Sequence, residues 1–467
     1  MCPPSRIAND DQRTTPLSYE TAVAQMYALG HELAQTPLHK FDLAHMRVLL
    51  SALGHPEKRF PSVLVAGTNG KGSTAATLAS ILQASGLKTG LYTSPHLVRI
   101  NERIRLNSET NGDDDFAMLH DVVNRTAERL VEEGDLPWHP SFFEMLTAMA
   151  FEYFARSRPD MVVLEVGMGG RLDATNVVEP RLSIITDIAL DHQKYLGETV
   201  GEIAREKAGI IRRGGVVVTL PQLPEANDVI GNAILDAGAR AVNAVPYVPP
   251  VSPGSASCFS GGRSRYPLDV MGTRIMVESP LVGRHQLRNL ALAIAASEEL
   301  HNQGVARITP ETIARGIRET RWPGRFQVVP SAGDNLEYVL DVAHNPAGAW
   351  ALRSTLSAAY QDLGNGREIT MVFGVMRDKA MQEITEILFP IAGRVIAAHA
   401  NNPRSASPDE IRQAAARVTV GTDIEAAEDV AMALERARKA AGRGGLVVVT
   451  GSIYIVGEAM RTLGIRI

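Results

Sequence analysis

Residues 63–74 read VLVAGTNGKGST, and no other stretch restricts the possible folds so tightly. An apolar run of strand type passes straight into glycines, a lysine and hydroxyls. Residues 75–86 follow, with Leu78, Ile81 and Leu82 on one helical face. The order is strand, anion loop, helix. Glycines let backbone N–H groups turn inward on a phosphate, the helix N-terminus adds partial positive charge, and Lys71 adds a full one. The natural occupant is a nucleoside triphosphate held by Thr68, Asn69, Gly70, Lys71, Gly72 and Ser73. A glycine-rich turn without a ligand would fit a lone Gly-x-Gly, but it fits a strand-flanked G-x-x-G-K-G-S-T poorly.

Composition narrows what surrounds this loop. A chain of 467 residues makes two domains or three, and 45% apolar with 21% charged residues describes an ordinary globular protein. The net charge of -5 offers no basic surface for nucleic acid. Cys2 and Cys258 have neither disulfide-framework nor metal-ligand spacing, so a reducing cytoplasm is the simplest home. The polar, proline-containing first fifteen residues read as loose and lack a signal-peptide core. No run of about 18 apolar residues marks a membrane span. The expectation is a cytoplasmic monomer with no membrane or nucleic-acid partner.

A second signal lies at residues 161–176, MVVLEVGMGGRLDATN. Apolar residues in succession describe a strand buried on both faces, and an acid at its end is costly unless a cation meets it. Glu165 therefore reads as a magnesium acid, ligating directly or through water. The strand at residues 90–97 stops at Ser94 and Pro95. In a parallel sheet its C-terminal end faces the same crevice as the phosphate loop, so Ser94 can approach the triphosphate. Residues 183–188 form the next strand and lead to Asp191 and His192, where a capping or core histidine is the default.

Ser141, Phe142, Phe143 and Glu144 open an apolar helix that runs through Phe154. Two aromatics beside a carboxylate suit a flat heterocycle, although such phenylalanines are more often core. Helices are expected at residues 19–35, with Ser18 as N-cap, and at 43–53. Residues 246–265 read as a surface excursion, and 268–278 as a small hairpin added to the main sheet. A striped helix at 285–304 carries Asn289. The Pro-Gly pair at Pro323 and Gly324 marks a domain break. From residue 337 onward strands and helices alternate: strands at 337–342, 369–373, 395–398 and 446–450, and helices at 347–360, 381–389, 409–417 and 429–440. That pattern is a second doubly wound domain. It carries no phosphate loop of its own and is expected to close over the first.

The departure from the Walker pattern, with Gly72 between Lys71 and the hydroxyls, resembles the phosphate loop of the Mur ligase family, ATP-dependent enzymes that form amide bonds. TSPHLVRINERI at residues 93–104 is similar to the mobile loop of its dihydrofolate synthase and folylpolyglutamate synthase branch. LEVGMGGRLDATN, the Asp191-His192 pair, REKAG at 205–209, PGRF at 323–326 and DVAHNP at 341–346 follow in the family's order. The resemblance runs from about residue 38 to the end. It implies an α/β fold: a P-loop ATPase domain with a mostly parallel sheet and a small β insertion over residues 1–321, and a smaller Rossmann-like glutamate-ligase domain over 331–467. Residues 322–330 would link the two.

The resemblance also implies the sites. Lys71, Glu165, His192 and Lys207 would be catalytic, with Ser94, Glu165, His192 and Lys207 holding two magnesium ions. Lys207 would carry a carbamate, although sequence alone leaves this amine either modified or free. Asn289, Arg325 and Asp341 would join the phosphate loop in binding ATP. Ser141, Phe142, Phe143, Glu144, Leu172, Asp173 and Ala174 would border a pterin, and His344 and Ser452 would meet glutamate. The implied reaction uses ATP to join L-glutamate to dihydropteroate and to the γ-carboxylate of reduced folates through an acyl phosphate. Two rivals remain at this point, a P-loop switch or motor ATPase and a Mur ligase acting on a UDP-linked sugar. The pterin-side residues argue against the second.

Overall fold

The computed structural model describes residues 17–30, 42–250, 259–260, 262–330, 336–360, 368–416 and 423–465. The expected loose segment 1–15 and Cys258 lie outside them.

The phosphate-loop strand, β1 (Ser62–Ala66), lies inside an eight-stranded sheet. The other strands are β2 (Thr89–Tyr92), β3 (Ile104–Leu106), β4 (Glu109–Thr110), β5 (Met161–Glu165), β6 (Leu182–Ile185), β7 (Val216–Thr219) and β8 (Arg240–Asn243), in the order β4-β3-β2-β5-β1-β6-β7-β8. Pairing is parallel except at the β2–β3 and β3–β4 contacts. Every residue of β1 and β5 is buried, which explains their unbroken apolar character. Alternate side chains serve opposite layers. Val63 and Val65 pack with Leu78, Ile81, Leu290 and Ile294 of the helices Lys71–Ala84 and Arg284–Asn302. Leu64 and Ala66 face Phe116, Met145 and Phe151 of the helices Asp113–Glu132 and Phe142–Ser157. The C-terminal ends of β1, β2 and β5 thus open on one crevice, as the α/β arrangement requires.

The hairpin does not extend this sheet. Strands β9 (Phe259–Ser260), β10 (Arg263–Val270) and β11 (Thr273–Ser279) form their own sheet, in the order β11-β10-β9. Its alternating inner face, with Tyr266, Leu268, Val270, Ile275 and Val277, packs onto the same helical layer as Leu78 and Ile81. A strand pair with one apolar face gains more by covering helices than by joining a sheet edge. The expected surface excursion therefore gives way to strand within its own range, at Phe259–Ser260 and from Arg263.

Two further boundaries move. The first helix spans Tyr19–Ala28 and stops before Gly30, whose φ of 97° ends the turn; residues 31–35 of the expected helix lie outside the described residues. Residues Gln327–Pro330, expected within the linker, form strand β12.

The second sheet contains β12, β13 (Glu337–Leu340), β14 (Ile369–Phe373), β15 (Arg394–Ala398), β16 (Asp423–Ala427) and β17 (Leu446–Thr450), in the order β12-β13-β17-β14-β15-β16. Only β12 runs antiparallel to its neighbour. Helices on both faces complete a doubly wound α/β unit.

Candidate active site

At the end of β1, Gly70 turns with a φ of 90° and becomes the N-cap of helix Lys71–Ala84 without any side-chain cap. The first backbone bond of that helix is Thr74 N–H to the Gly70 carbonyl, at 2.9 Å. The N–H groups of Lys71, Gly72 and Ser73 are consequently left for an anion. The loop is braced from behind, because Thr68 and Asn69 donate their N–H groups to the Asp187 carbonyl at 2.9 and 3.0 Å. Lys71 folds back on the Gly67 and Thr68 carbonyls at 3.1 and 3.3 Å, a posture that a phosphate would relieve. Asn289 is buried against this loop, with its Oδ1 against Gly70 and its amide bonded to Gln286.

Glu165 ends β5 beside this loop, 4% exposed. Burial pushes its carboxyl up to about 7, against the opposing charge of Lys71 and a hydrogen bond from the Ser94 N–H at 3.2 Å. A buried acid with so little protein hydrogen bonding is suited to a cation. Among the described residues no cluster of three metal-ligating side chains surrounds it. One carboxylate and a neighbouring hydroxyl fit magnesium, which takes few protein ligands when phosphate oxygens and water complete its shell.

Lys207 is also buried. Its Nζ donates to the Gly67 carbonyl at 2.7 Å, and burial together with the Lys71 charge lowers its amine to about 7. His192 follows β6 in the left-handed region, and burial and the Lys379 charge hold its imidazole down to about 3.

Asp191 is the residue that joins the two sheets' loops. Its carboxylate pairs with half-buried Lys379 at 2.7 Å, lies 3.6 Å from His344 and 3.3 Å from the Asn345 amide. Burial pushes that carboxyl up, but His344, His192 and Lys379 more than offset it and hold it well below the usual carboxylate range. Asn345 also donates to Asn69 of the phosphate loop at 3.0 Å. Sequence reading met Asn345 only inside the motif at residues 341–346 and gave Lys379 no role, and Asp191 lies 188 residues from Lys379, beyond the reach of any local pattern.

The predicted groups gather into two cavities. One, about 590 Å³, is lined by the whole phosphate loop, by Ser94, Glu165, His192 and Lys207, and by Asn289, Arg325, Asp341 and His344. The other, about 500 Å³, is lined by Ser141, Phe142, Phe143, Glu144, Leu172, Asp173 and Ala174, with His344 and Ser452 on the far side. Ser94, Gly167, His192, Arg325 and His344 belong to both walls.

Several of these side chains also do structural work. Glu144 closes a capping box with Ser141 at 2.8 Å, and Phe142 stacks on Tyr27. Asp173 accepts from the Met168 and Thr175 N–H groups at 2.9 and 3.0 Å. Asp341 accepts from Phe326 and Ala343, and Ser452 caps the helix Ile453–Thr462. The loop after Ser94 is pinned by Glu102, which accepts from the N–H groups of Leu97, Val98 and Arg99.

The phosphate loop faces a buried acid in a crevice that the second α/β unit borders, and two family models match the chain. Residues 143–297 match the Mur ligase middle domain, and 324–453 match the Mur ligase glutamate ligase domain. The chain is 35% identical over 434 residues to the dihydrofolate synthase/folylpolyglutamate synthase of Bacillus subtilis, covering 91% of this chain and 95% of that one. Mycobacterium tuberculosis folylpolyglutamate synthase complexed with ADP superposes with a TM-score of 0.81 at 29% identity, over 96% of this chain and 99% of that one. An FPGS complex with AMPPCP and folate superposes with a TM-score of 0.76 at 31% identity, over 96% and 100%. The chain belongs to the dihydrofolate synthase/folylpolyglutamate synthase family of Mur ligases. Among the described residues no helix is long and apolar enough to cross a membrane.

Proposed function

We propose that this chain is an ATP-dependent, ADP-forming ligase that joins L-glutamate to dihydropteroate and to the γ-carboxylate of reduced folates. The observation that carries the reading is the shared wall of the two cavities: an aromatic, mostly apolar pocket opens onto a phosphate loop beside a buried acid. Such a junction lets a carboxylate on one side reach a γ-phosphate on the other. The chain divides functionally into an ATP-binding part up to residue 321 and a glutamate-ligase part from 331.

In the first step a substrate carboxylate oxygen bonds to the γ-phosphorus and ADP leaves, giving an acyl phosphate. Lys71 and the N–H groups of Lys71, Gly72 and Ser73 offset charge on the moving phosphoryl group, and Arg325 approaches from the hinge. Magnesium, when bound at Glu165 and Ser94, neutralises phosphate charge, and a second ion would be held by His192 and a carbamate on Lys207. The buried lysine, recessed behind the phosphate loop and without a carboxylate partner among the described residues, supports that modification. In the second step the glutamate amine attacks the acyl carbon, phosphate leaves and the nitrogen gives up a proton. His344, Ser452 and Lys379 hold the incoming glutamate. The aromatic wall at Phe142 and Phe143 holds the pterin, with Leu172 and Ala174 at its edge. Closure of the two α/β units excludes water from the acyl phosphate.

The test supplies labelled glutamate and ATP with dihydropteroate, with tetrahydrofolate or with a UDP-muramoyl substrate. Incorporation is expected with the first two. Incorporation with the folate alone would remove the dihydrofolate synthase half, and turnover of the sugar substrate alone would overturn the reading.

A further inference from the structure

Ser94 stands on the wall of both cavities, and its place depends on residues 95–99 that follow it. Its own N–H is tied to Glu165, and the N–H groups of Leu97, Val98 and Arg99 all go to the Glu102 carboxylate. These bonds fold the loop on itself without fixing where its tip rests. The tip carries two half-buried apolar side chains, Leu97 and Val98. They pack against the apolar cluster of the second α/β unit, which contains Val342, Ile455, Val456 and Met460.

The contact reaches the backbone on both sides. Helix Ile453–Thr462 presents Gly457 to the Leu97 carbonyl. A Cβ built at Gly457 would fall on that carbonyl oxygen and stand 2.8 Å from its carbon, so any side chain there would lift the loop off the helix. Glycine weakens a helix interior, and the close approach of the loop supplies a reason for one here. The hinge meets the same point. A Cβ built at Gly324 would stand 3.3 Å from Leu97 Cδ2, 3.2 Å from Val342 Cγ1 and 3.5 Å from Val456 Cγ1. Leu97 therefore sits where the hinge, the loop after β13 and the helix Ile453–Thr462 converge. Neither Leu97 nor Gly457 lines either cavity.

We propose that Leu97 and Gly457 are positioning residues: the second α/β unit, seated on the Leu97 carbonyl and side chain, holds the loop that keeps Ser94 at the reaction centre. Acyl phosphate formation then depends on a unit that carries no phosphate loop of its own, and a loop left unseated lets Ser94 withdraw. The inference rests on the proposed function and deepens it.

The experiment compares Leu97→Ala and Gly457→Ala with the unaltered full-length enzyme, by backbone amide exchange and by glutamate incorporation. In both variants the amides of residues 94–99 are expected to exchange about tenfold faster or more, while β1 and β5 keep their protection. The kcat with tetrahydrofolate is expected to fall about tenfold or more, since misplacement by about 1 Å can cost about 10²-fold. KM for ATP and for the folate should stay within about twofold, because neither residue touches a cavity. In a Ser94→Ala background the further loss from Leu97→Ala should shrink to about twofold or less. Unchanged exchange at residues 94–99 in both variants would overturn the inference. So would a loss carried wholly by KM, or one of equal size in both backgrounds. If Gly457→Ala fails to fold, Leu97→Ala decides alone, since shortening a half-buried leucine is expected to spare the fold. An unaltered enzyme inert on every folate would remove the proposed function, and the exchange measurement would still accept or reject the contact.

Discussion

Gly72 sits where the phosphate loop becomes helix, and the hinge tryptophan lies on it. A Cβ added at Gly72 would stand 2.6 Å from Trp322 Cζ2 and 3.1 Å from Cε2. Carbon atoms in good contact stand about 3.5–4.0 Å apart, so Gly72→Ala must move the ring or the loop by roughly 1 Å. The ring is poorly placed to yield, because Arg105 and Arg325 lie over it at 5.4 and 6.0 Å. Overpacking of this kind costs about 1–3 kcal/mol. If the phosphate loop takes the displacement, KM for ATP rises by roughly 5- to 150-fold, at about 1.4 kcal/mol per decade. The folate KM should change much less, because the aromatic cavity does not include Gly72.

The assay measures glutamate incorporation against ATP concentration for Gly72→Ala, Trp322→Phe and the double variant. Phenylalanine lacks the outer ring atoms, so the double variant is expected to recover at least half of the lost free energy. A Gly72→Ala defect of the same size in both backgrounds would show no coupling between the two residues. That result would refute the claim that the hinge presses on the phosphate loop.

Two further outcomes follow from the same site. Lys71→Ala and Glu165→Ala should each lower amide formation by about 10²-fold or more while the protein stays folded by circular dichroism, since each removes an electrostatic group at the triphosphate; near-normal turnover of folded Glu165→Ala would remove its metal role. Activity should fall after carbon dioxide is removed and return with bicarbonate if Lys207 is carbamylated, and equal activity in both states would count against the modification.

Much of the fold was legible because its signals are local. In β1 and the helix Lys71–Ala84, a buried apolar run, a glycine with positive φ and an uncapped helix start are adjacent in sequence, so one window contains the whole device. Strands β14 and β17 coincide with the expected ranges because each is an apolar run buried throughout. Strand β12 was hidden because its residues are only half-buried, so period and hydrophobicity are weak there. Strand β16 lies at the edge of its sheet and pairs on one side only, and nothing in its short sequence marks that place. The candidate site was legible as a set of residues, through the motifs that place them at strand ends. Its double use was not: Asp173 and Glu144 read as ligand groups, and the structure shows how much of their hydrogen bonding goes to the loops they hold.

By itself the sequence determined that a triphosphate loop stands at the end of a buried strand, that an acid follows a second such strand, and that a second α/β unit follows a Pro-Gly break. These are matters of period, backbone freedom and the cost of burying charge, all decided within a few residues. Tertiary structure decided what meets across the crevice. Asp191 joins Lys379, His344 and Asn345 from the other sheet, Trp322 rests on Gly72, and the hairpin covers helices instead of lengthening a sheet. Each of these contacts spans many residues and depends on which faces the two sheets present to each other, a geometry that appears only when both sheets have formed.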